Sequence, residues 1–158
     1  MGTQNFKTNK KVSIKRKTSR SKNLYLNLLI KIFRFLARKT KSKFNTVILK
    51  RLFSSRSFQA PISLSRLIRY SKGNKKTIVV VGKILNDERI GDIPKFTVCA
   101  LKISSSAKSR ILKSGGQVIT FDQLARTNPT GKNTLLLRGI KPKQSMKIKR
   151  NLKNKKTL

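Results

Sequence analysis

From Leu24 onward the apolar and polar positions follow two different periods, and the change between them divides the chain. Asn27, Lys31, Arg34 and Arg38 recur at spacings of 4, 3 and 4, while Tyr25, Leu28, Leu29, Ile32, Phe33 and Leu36 fill the other sides. On a helix of 3.6 residues per turn this gives one basic stripe beside a wide apolar face. Ser42 is placed to cap a second helix, with Phe44, Val47, Ile48, Leu52 and Phe53 facing inward and Lys50, Arg51 and Arg56 outward. The two segments predict a helical hairpin. After Pro61, Ser63 or Ser65 begins a short third helix carrying Leu64, Leu67 and Ile68, and Gly73 ends it.

The period then shortens. TIVVVGKI (Thr77 to Ile84) and FTVCALKI (Phe96 to Ile103) are β-branched runs of strand length and predict two buried strands flanking a loop. Ser104 to Ser106 cap a helix that runs to Ser114, where Gly115 and Gly116 supply a left-handed stop and a turn. QVIT predicts a short strand, and Thr120 caps a brief helix over FDQLA with Asp122 in its first turn, where the helix dipole favours an acid. NPTGKN is a turn and TLLLR (Thr134 to Arg138) the last strand. The expected fold class is α/β: an N-terminal helical hairpin followed by an irregular mixed strand-helix core, with basic N- and C-terminal extensions.

Charge changes this picture most. The 158 residues include 40 Lys plus Arg against 4 Asp plus Glu, a formal net charge of +36. The first acid is Asp87, and Glu88, Asp92 and Asp122 complete the set. A compact state with so much like charge repels itself, and a polyanion partner relieves that repulsion. A membrane is not expected as that partner, because the longest apolar stretch, Leu24 to Ala37, is broken by Lys31 and Arg34 and falls short of the roughly 20 residues that span a bilayer. Nucleic acid remains.

Residues 1–23 carry Lys7, Lys10, Lys11, Lys15, Arg16, Lys17, Arg20 and Lys22 with almost no apolar periodicity, and are expected to be an arm that stays extended until phosphate binds it. The same acid-free composition is found in organelle transit peptides, but it serves an RNA-binding arm equally well, and the arm is preferred. Arg138, Lys141, Lys143, Lys147, Lys149, Arg150, Lys153, Lys155 and Lys156 form a second arm, assigned to residues 139–158, which leaves a globular body over 24–138.

With no histidine and one cysteine, intramolecular disulfides, Cys/His zinc sites and imidazole catalysis are excluded by count; no metal site and no cofactor are expected. Cys99, within VCALKI, reads as a small buried hydrophobe. Asp87, Glu88 and Asp92 occur together with Arg89 and read as a solvated or salt-paired turn rather than a catalytic carboxylate cluster. VVVGKI has a single glycine and lacks both the dinucleotide and the P-loop pattern. The protein is not expected to be an enzyme.

Five blocks carry a resemblance: VILKRLFSSR (Val47 to Arg56), SLSRLIR (Ser63 to Arg69), VVVGKI (Val79 to Ile84), IPKFTVCAL (Ile93 to Leu101) and SSSAKSRILKSGGQVITFDQLA (Ser104 to Ala125). In this order they resemble large-subunit ribosomal protein eighteen of eukaryotes and archaea, over roughly Asn23 to Leu137. The resemblance implies a fold shared with bacterial large-subunit protein fifteen, basic extensions threaded through ribosomal RNA, and no enzymatic activity. After Gly139 the chain departs from the family's Gly-Pro-Arg-Lys-like turn and long tail; IKPKQSMKIKRNLKNKKTL reads as a shortened, rewritten tail.

The expected function is that of a structural constituent of the large ribosomal subunit. Its partners would be ribosomal RNA and neighbouring ribosomal proteins, with no small-molecule substrate and no homo-oligomer. The expected setting is the cytoplasmic ribosome, or the ribosome of a relict eukaryotic compartment if the abundance of Lys, Asn and Ile reflects an A/T-biased genome. The alternative is a general nucleic-acid chaperone. The candidate RNA-binding residues are Lys10, Lys11, Lys15, Arg16, Lys17 and Arg20 in the first arm; Arg34, Arg38, Lys50, Arg51, Arg56, Arg66, Arg69, Lys108, Arg110 and Lys113 in the body; and Arg138, Lys141, Lys143, Lys147, Lys149 and Arg150 in the second arm. Ser104 to Ser106, followed by KSR, form a candidate phosphate nook at a helix start. Phe58 lies in a predicted loop and Phe33, Phe44 and Phe53 on core faces, so the expected recognition is of RNA shape rather than of stacked bases.

Overall fold

The computed structural model describes residues 18–19, 21–55, 58–71 and 76–140. Along the chain come α1 (Leu24–Thr40), α2 (Lys43–Leu52), β1 (Ile62–Ser63), α3 (Leu64–Ser71), β2 (Thr77–Leu85), β3 (Thr97–Ile103), α4 (Ser105–Lys113), β4 (Gln117–Ile119), α5 (Phe121–Thr127) and β5 (Thr134–Leu137). The polar residues expected at the helix starts are the ones used. Asn23 accepts from the amide of Tyr25, Ser42 from Phe44 and Ser104 from Ala107, and Thr120 forms a reciprocal capping box with Gln123. Gly115 takes the left-handed conformation after α4, with φ of 72°.

All five strands are parallel. Their order is β1-β2-β3-β4, and β5 also pairs with β2. One edge of β2 is taken by β3 along most of its length. The other edge is shared: β5 lies against its first half, with Thr77 opposite Thr134, and β1 against its end, with Ile84 opposite Ile62. Where β5 leaves and Pro61 leads into β1, Gly139 passes so close that a Cβ would collide with the Pro61 carbonyl and lie 2.7 Å from that of Ala60.

The central strand explains the core. Its residues alternate between faces: Val79 and Val81, with Cys99 of β3, join Leu29, Ile30, Phe33, Ile48, Leu52, Phe121 and Leu124 from α1, α2 and α5. Ile78, Val80 and Ile84, with Val98, meet Leu64, Leu67, Ala107 and Ile111 from α3 and α4 on the other face. Because both faces are covered, the run reads as continuously apolar rather than alternating. Phe33 and Phe121 meet edge to face, with centroids 5.9 Å apart at 75°.

Three expectations are corrected. The wide apolar face of α1 is only partly used: Leu29, Ile30 and Phe33 are buried, while Tyr25, Leu28 and Ile32 stay exposed, because α1 meets the sheet and α2 along a narrower stripe. In α2, Val47 is turned outward and Asn45 takes the inner position, its amide nitrogen donating to Thr40 Oγ1 at 2.9 Å and to the Pro129 carbonyl at 2.7 Å. Ser63 forms the two-residue strand β1, which the sequence reading did not foresee. The Gly73 stop lies outside the described residues.

Candidate nucleic-acid interface

Of the predicted contact residues, Lys10, Lys11, Lys15, Arg16, Lys17, Arg20, Arg56, Lys141, Lys143, Lys147, Lys149 and Arg150 lie outside the described residues. The others divide by layer. Arg34 and Arg38 on α1 and Lys50 on α2 are exposed over one face of the sheet, whereas Arg66 and Arg69 on α3 and Lys108 and Lys113 on α4 are exposed over the other. Arg138 is exposed just beyond β5. The cations therefore cover both outer helical layers. Arg34 holds its guanidinium 5.7 Å from the centre of the Phe53 ring, and the Lys39 ammonium sits 6.0 Å from that of Phe35, so aromatic faces pre-orient part of the charge on α1.

Two predicted contact residues make hydrogen bonds within the fold. Arg51 is half-buried and donates from Nη1 to the Leu137 carbonyl at 2.8 Å, tying α2 to the end of β5. Burial, and then the neighbouring charge of Arg138, lowers its pKa from the ordinary arginine value. Arg110 turns away from the solvent side of α4 into the connection between β2 and β3. Its Nη1 donates to Asn86 Oδ1 at 3.0 Å and to the Asp87 carbonyl at 2.7 Å; its Nη2 donates to the Ile90 carbonyl and, at 3.1 Å, to that of Gly91. That connection joins two parallel strands, a crossover for which proteins usually use a helix, and here residues 86–96 contain no helix or strand. Arg110 supplies the hydrogen bonds that regular structure would otherwise provide.

The phosphate nook at Ser104 to Ser106 is therefore reduced. Ser104 spends its hydroxyl on the Ala107 amide at 3.4 Å, Arg110 faces the loop, and Lys108 alone of the two expected cations stays exposed. Among the acids, Asp87 accepts from the Ser65 hydroxyl and, at 3.3 Å, from the Arg89 amide. The Ser65 hydrogen bond, together with the Arg89 amide and charge, holds its carboxyl below the usual range against a smaller opposing effect of burial. The described residues contain no group of three or more Cys, Asp or Glu placed to hold a metal ion. Cys99 is buried in the sheet, and its thiol pKa is pushed up to about 12, first by desolvation and then by the charge of Asp122.

Some surface features have little local signal in the sequence. Tyr25 is 81% exposed, and Phe35, Phe58 and Tyr70 are each about half exposed, so aromatic surface is present after all. Lys83 and Lys102, at the ends of the two central strands, are exposed register partners; Gly82, a glycine inside a β-branched run, was the local signal for an irregularity there.

Fold and charge together define a three-layered basic α/β protein with cations on both outer surfaces. Comparison with known proteins narrows this. The family described as ribosomal protein 60S L18 and 50S L18e matches residues 2–155. The chain is 51% identical over 138 residues to large ribosomal subunit protein eL18 of Drosophila melanogaster, covering 85% of this chain and 72% of that protein. It is 50% identical over 129 residues to the protein of that name from Diaphorina citri, covering 80% and 69% respectively. The chain belongs to this L18/L18e family of ribosomal proteins, as the sequence blocks indicated.

Proposed function

We propose that the protein is a structural constituent of the large ribosomal subunit that binds folded ribosomal RNA through its two outer helical layers and its basic termini. Membership of the L18/L18e family carries the reading, and the placement of charge gives it a physical form. A protein that meets RNA on one side needs one basic face, whereas Arg38 and Lys50 lie over one face of the sheet and Arg66, Arg69 and Lys108 over the other, as suits a body enclosed by RNA. The terminal cations, including Lys10, Lys11, Lys15, Arg16, Lys147, Lys149 and Arg150, extend the contact as arms. Arg51 and Arg110 are left out of the contact set because their donors serve the fold. Neighbouring ribosomal proteins complete the environment, the ribosome is a cytoplasmic one, the protein acts as one copy per particle, and no catalytic step is involved.

Sedimentation tests this directly. The protein should travel with the large subunit through a high-salt wash, and its affinity as a free chain for a ribosomal RNA fragment should fall by about 0.7 to 0.9 log units per tenfold salt for each phosphate neutralised. Arg38→Gln should lower that slope by about one such increment and leave stability unchanged. Release from the subunit in the wash, or a salt-insensitive affinity, would overturn the reading, as would Mg²⁺-dependent RNA cleavage that disappears in Asp87→Ala.

A further inference from the structure

The two central strands end in a pair of lysines that the packing of the body does not use. Between Val80 opposite Ala100 and Lys83 opposite Lys102 the register slips, so that β2 takes one residue more than β3. Gly82 lies in that slip, pressed towards the preceding loop: a Cβ there would come 3.3 Å from the Ala60 carbonyl. Bulges of this kind re-aim the side chains that follow. Here the bulge sets Lys83 beside Lys102 on adjacent strands. The next pair in register, Ile84 and Ile103, packs against the α3 and α4 side, so by alternation the lysines emerge on the side of α1, α2 and α5. Like charges held side by side on neighbouring strands repel, and an anion between them removes the repulsion.

The pair borders a cleft of about 1000 Å³. It opens at the carboxyl ends of the strands, the side on which parallel α/β sheets receive ligands. Its floor is apolar, with Leu29, Leu52 and Leu101; Tyr25 stands at its border with most of its ring exposed. One carboxylate, Asp122, also lines it. The volume lies at the upper end of the range that takes a drug-sized molecule, a size that includes a nucleotide.

We propose that this cleft holds an unpaired RNA nucleotide, its phosphate against Lys83 and Lys102 and its base over the apolar floor beside Tyr25. The proposal rests on the RNA-binding reading above and names one element of it. An unpaired base fits better than a duplex because a duplex offers phosphates and groove edges, whereas an apolar floor and an exposed ring suit the face of a base. The chain's own N-terminal arm reaches the cleft at Ser19 and Ser21, but Lys10, Lys11, Lys15, Arg16 and Lys17 bring further positive charge to a cationic pair.

The test uses the full-length protein and a single-stranded oligoribonucleotide carrying 4-thiouridine, photocrosslinked and mapped by mass spectrometry, with a duplex of equal length alongside. The single strand should crosslink to the peptide carrying Tyr25. Lys83→Gln with Lys102→Gln should abolish that crosslink, spare those on the terminal arms, and lower the salt slope by about 0.7 log units per tenfold salt, the increment for the one phosphate the pair holds. Lys83→Arg with Lys102→Arg should keep the crosslink, which separates lost charge from a damaged bulge. Crosslinks confined to the arms, equal labelling at Tyr25 by the duplex, persistence of the crosslink in the glutamine pair, or its displacement by an equimolar polyglutamate peptide would each overturn the cleft proposal. Failure of the protein to bind either RNA would overturn the RNA-binding reading with it.

Discussion

Arg110 separates a residue that binds RNA from one that holds the fold, because the two roles predict opposite results for one substitution. Its guanidinium makes four hydrogen bonds to Asn86, Asp87, Ile90 and Gly91 across the crossover between β2 and β3. Bonds to a charged donor are worth about 1.5 to 3 kcal/mol each in isolation. They are not additive here, and the half-exposed loop carbonyls regain water when the side chain is removed. The net loss for Arg110→Ala is therefore about 2 to 3 kcal/mol, nearer one strong bond than four. With urea slopes of about 1 to 3 kcal/mol/M, the unfolding midpoint should fall by about 0.7 to 3 M. Unfolding followed by circular dichroism in sulfate buffer, which favours the compact state, measures this directly. Arg110→Lys keeps the charge but has a single head that cannot reach all four acceptors, so it should recover less than half of the loss. The RNA salt slope of Arg110→Lys should match that of the unaltered chain. The reasoning fails if Arg110→Ala leaves the midpoint unchanged while lowering the salt slope by about one phosphate increment, since Arg110 would then be a phosphate ligand.

Gly139→Ala should destabilise the protein by about 1 to 3 kcal/mol in the same urea experiment, because its methyl group would strike the Pro61 carbonyl where β5 passes β1; a neutral result would mean that the two strands are free to separate there. Cys99 should resist thiol reagents in the native protein at pH 8 and label only as the chain unfolds, given its burial and a pKa pushed up to about 12. Since its folded pKa lies above the unfolded value near 9, the neutral thiol contributes stability that is complete below about pH 9 and is lost as pH rises towards 12. Rapid native labelling at pH 8 would contradict both the burial and the shift.

What the sequence showed and what it hid follow from the range of the interactions. The β-branched runs at Ile78 to Val81 and Val98 to Cys99, and the capping residues Ser42, Ser104 and Thr120, act within a few positions of themselves and were legible. β1 has only two residues and exists because β2 offers Ile84 and Leu85 as partners, so no local pattern announces it. The exposed half of α1 looks apolar in sequence because periodicity records which residues share a face, not whether anything covers that face. The charge of Arg51 and Arg110 suggests RNA contact, whereas the carbonyl acceptors they reach, far along the chain, leave no local pattern. The site at Lys83 and Lys102 depends on a slip in register between strands, to which Gly82 alone gave a local clue.

The shared edge of β2 also bears on how the chain is made. β1 comes before β2 in the chain, but β5, its partner along Thr77 to Val80, is the last of the described strands to leave the ribosome that synthesises it. Until Leu137 has emerged, the first half of β2 has an unpaired backbone edge beside an apolar run, the kind of surface that recruits other strands. The protein therefore closes this edge of its sheet only after β3 and β4 have emerged. The dense positive charge on the nascent chain keeps copies apart through that interval.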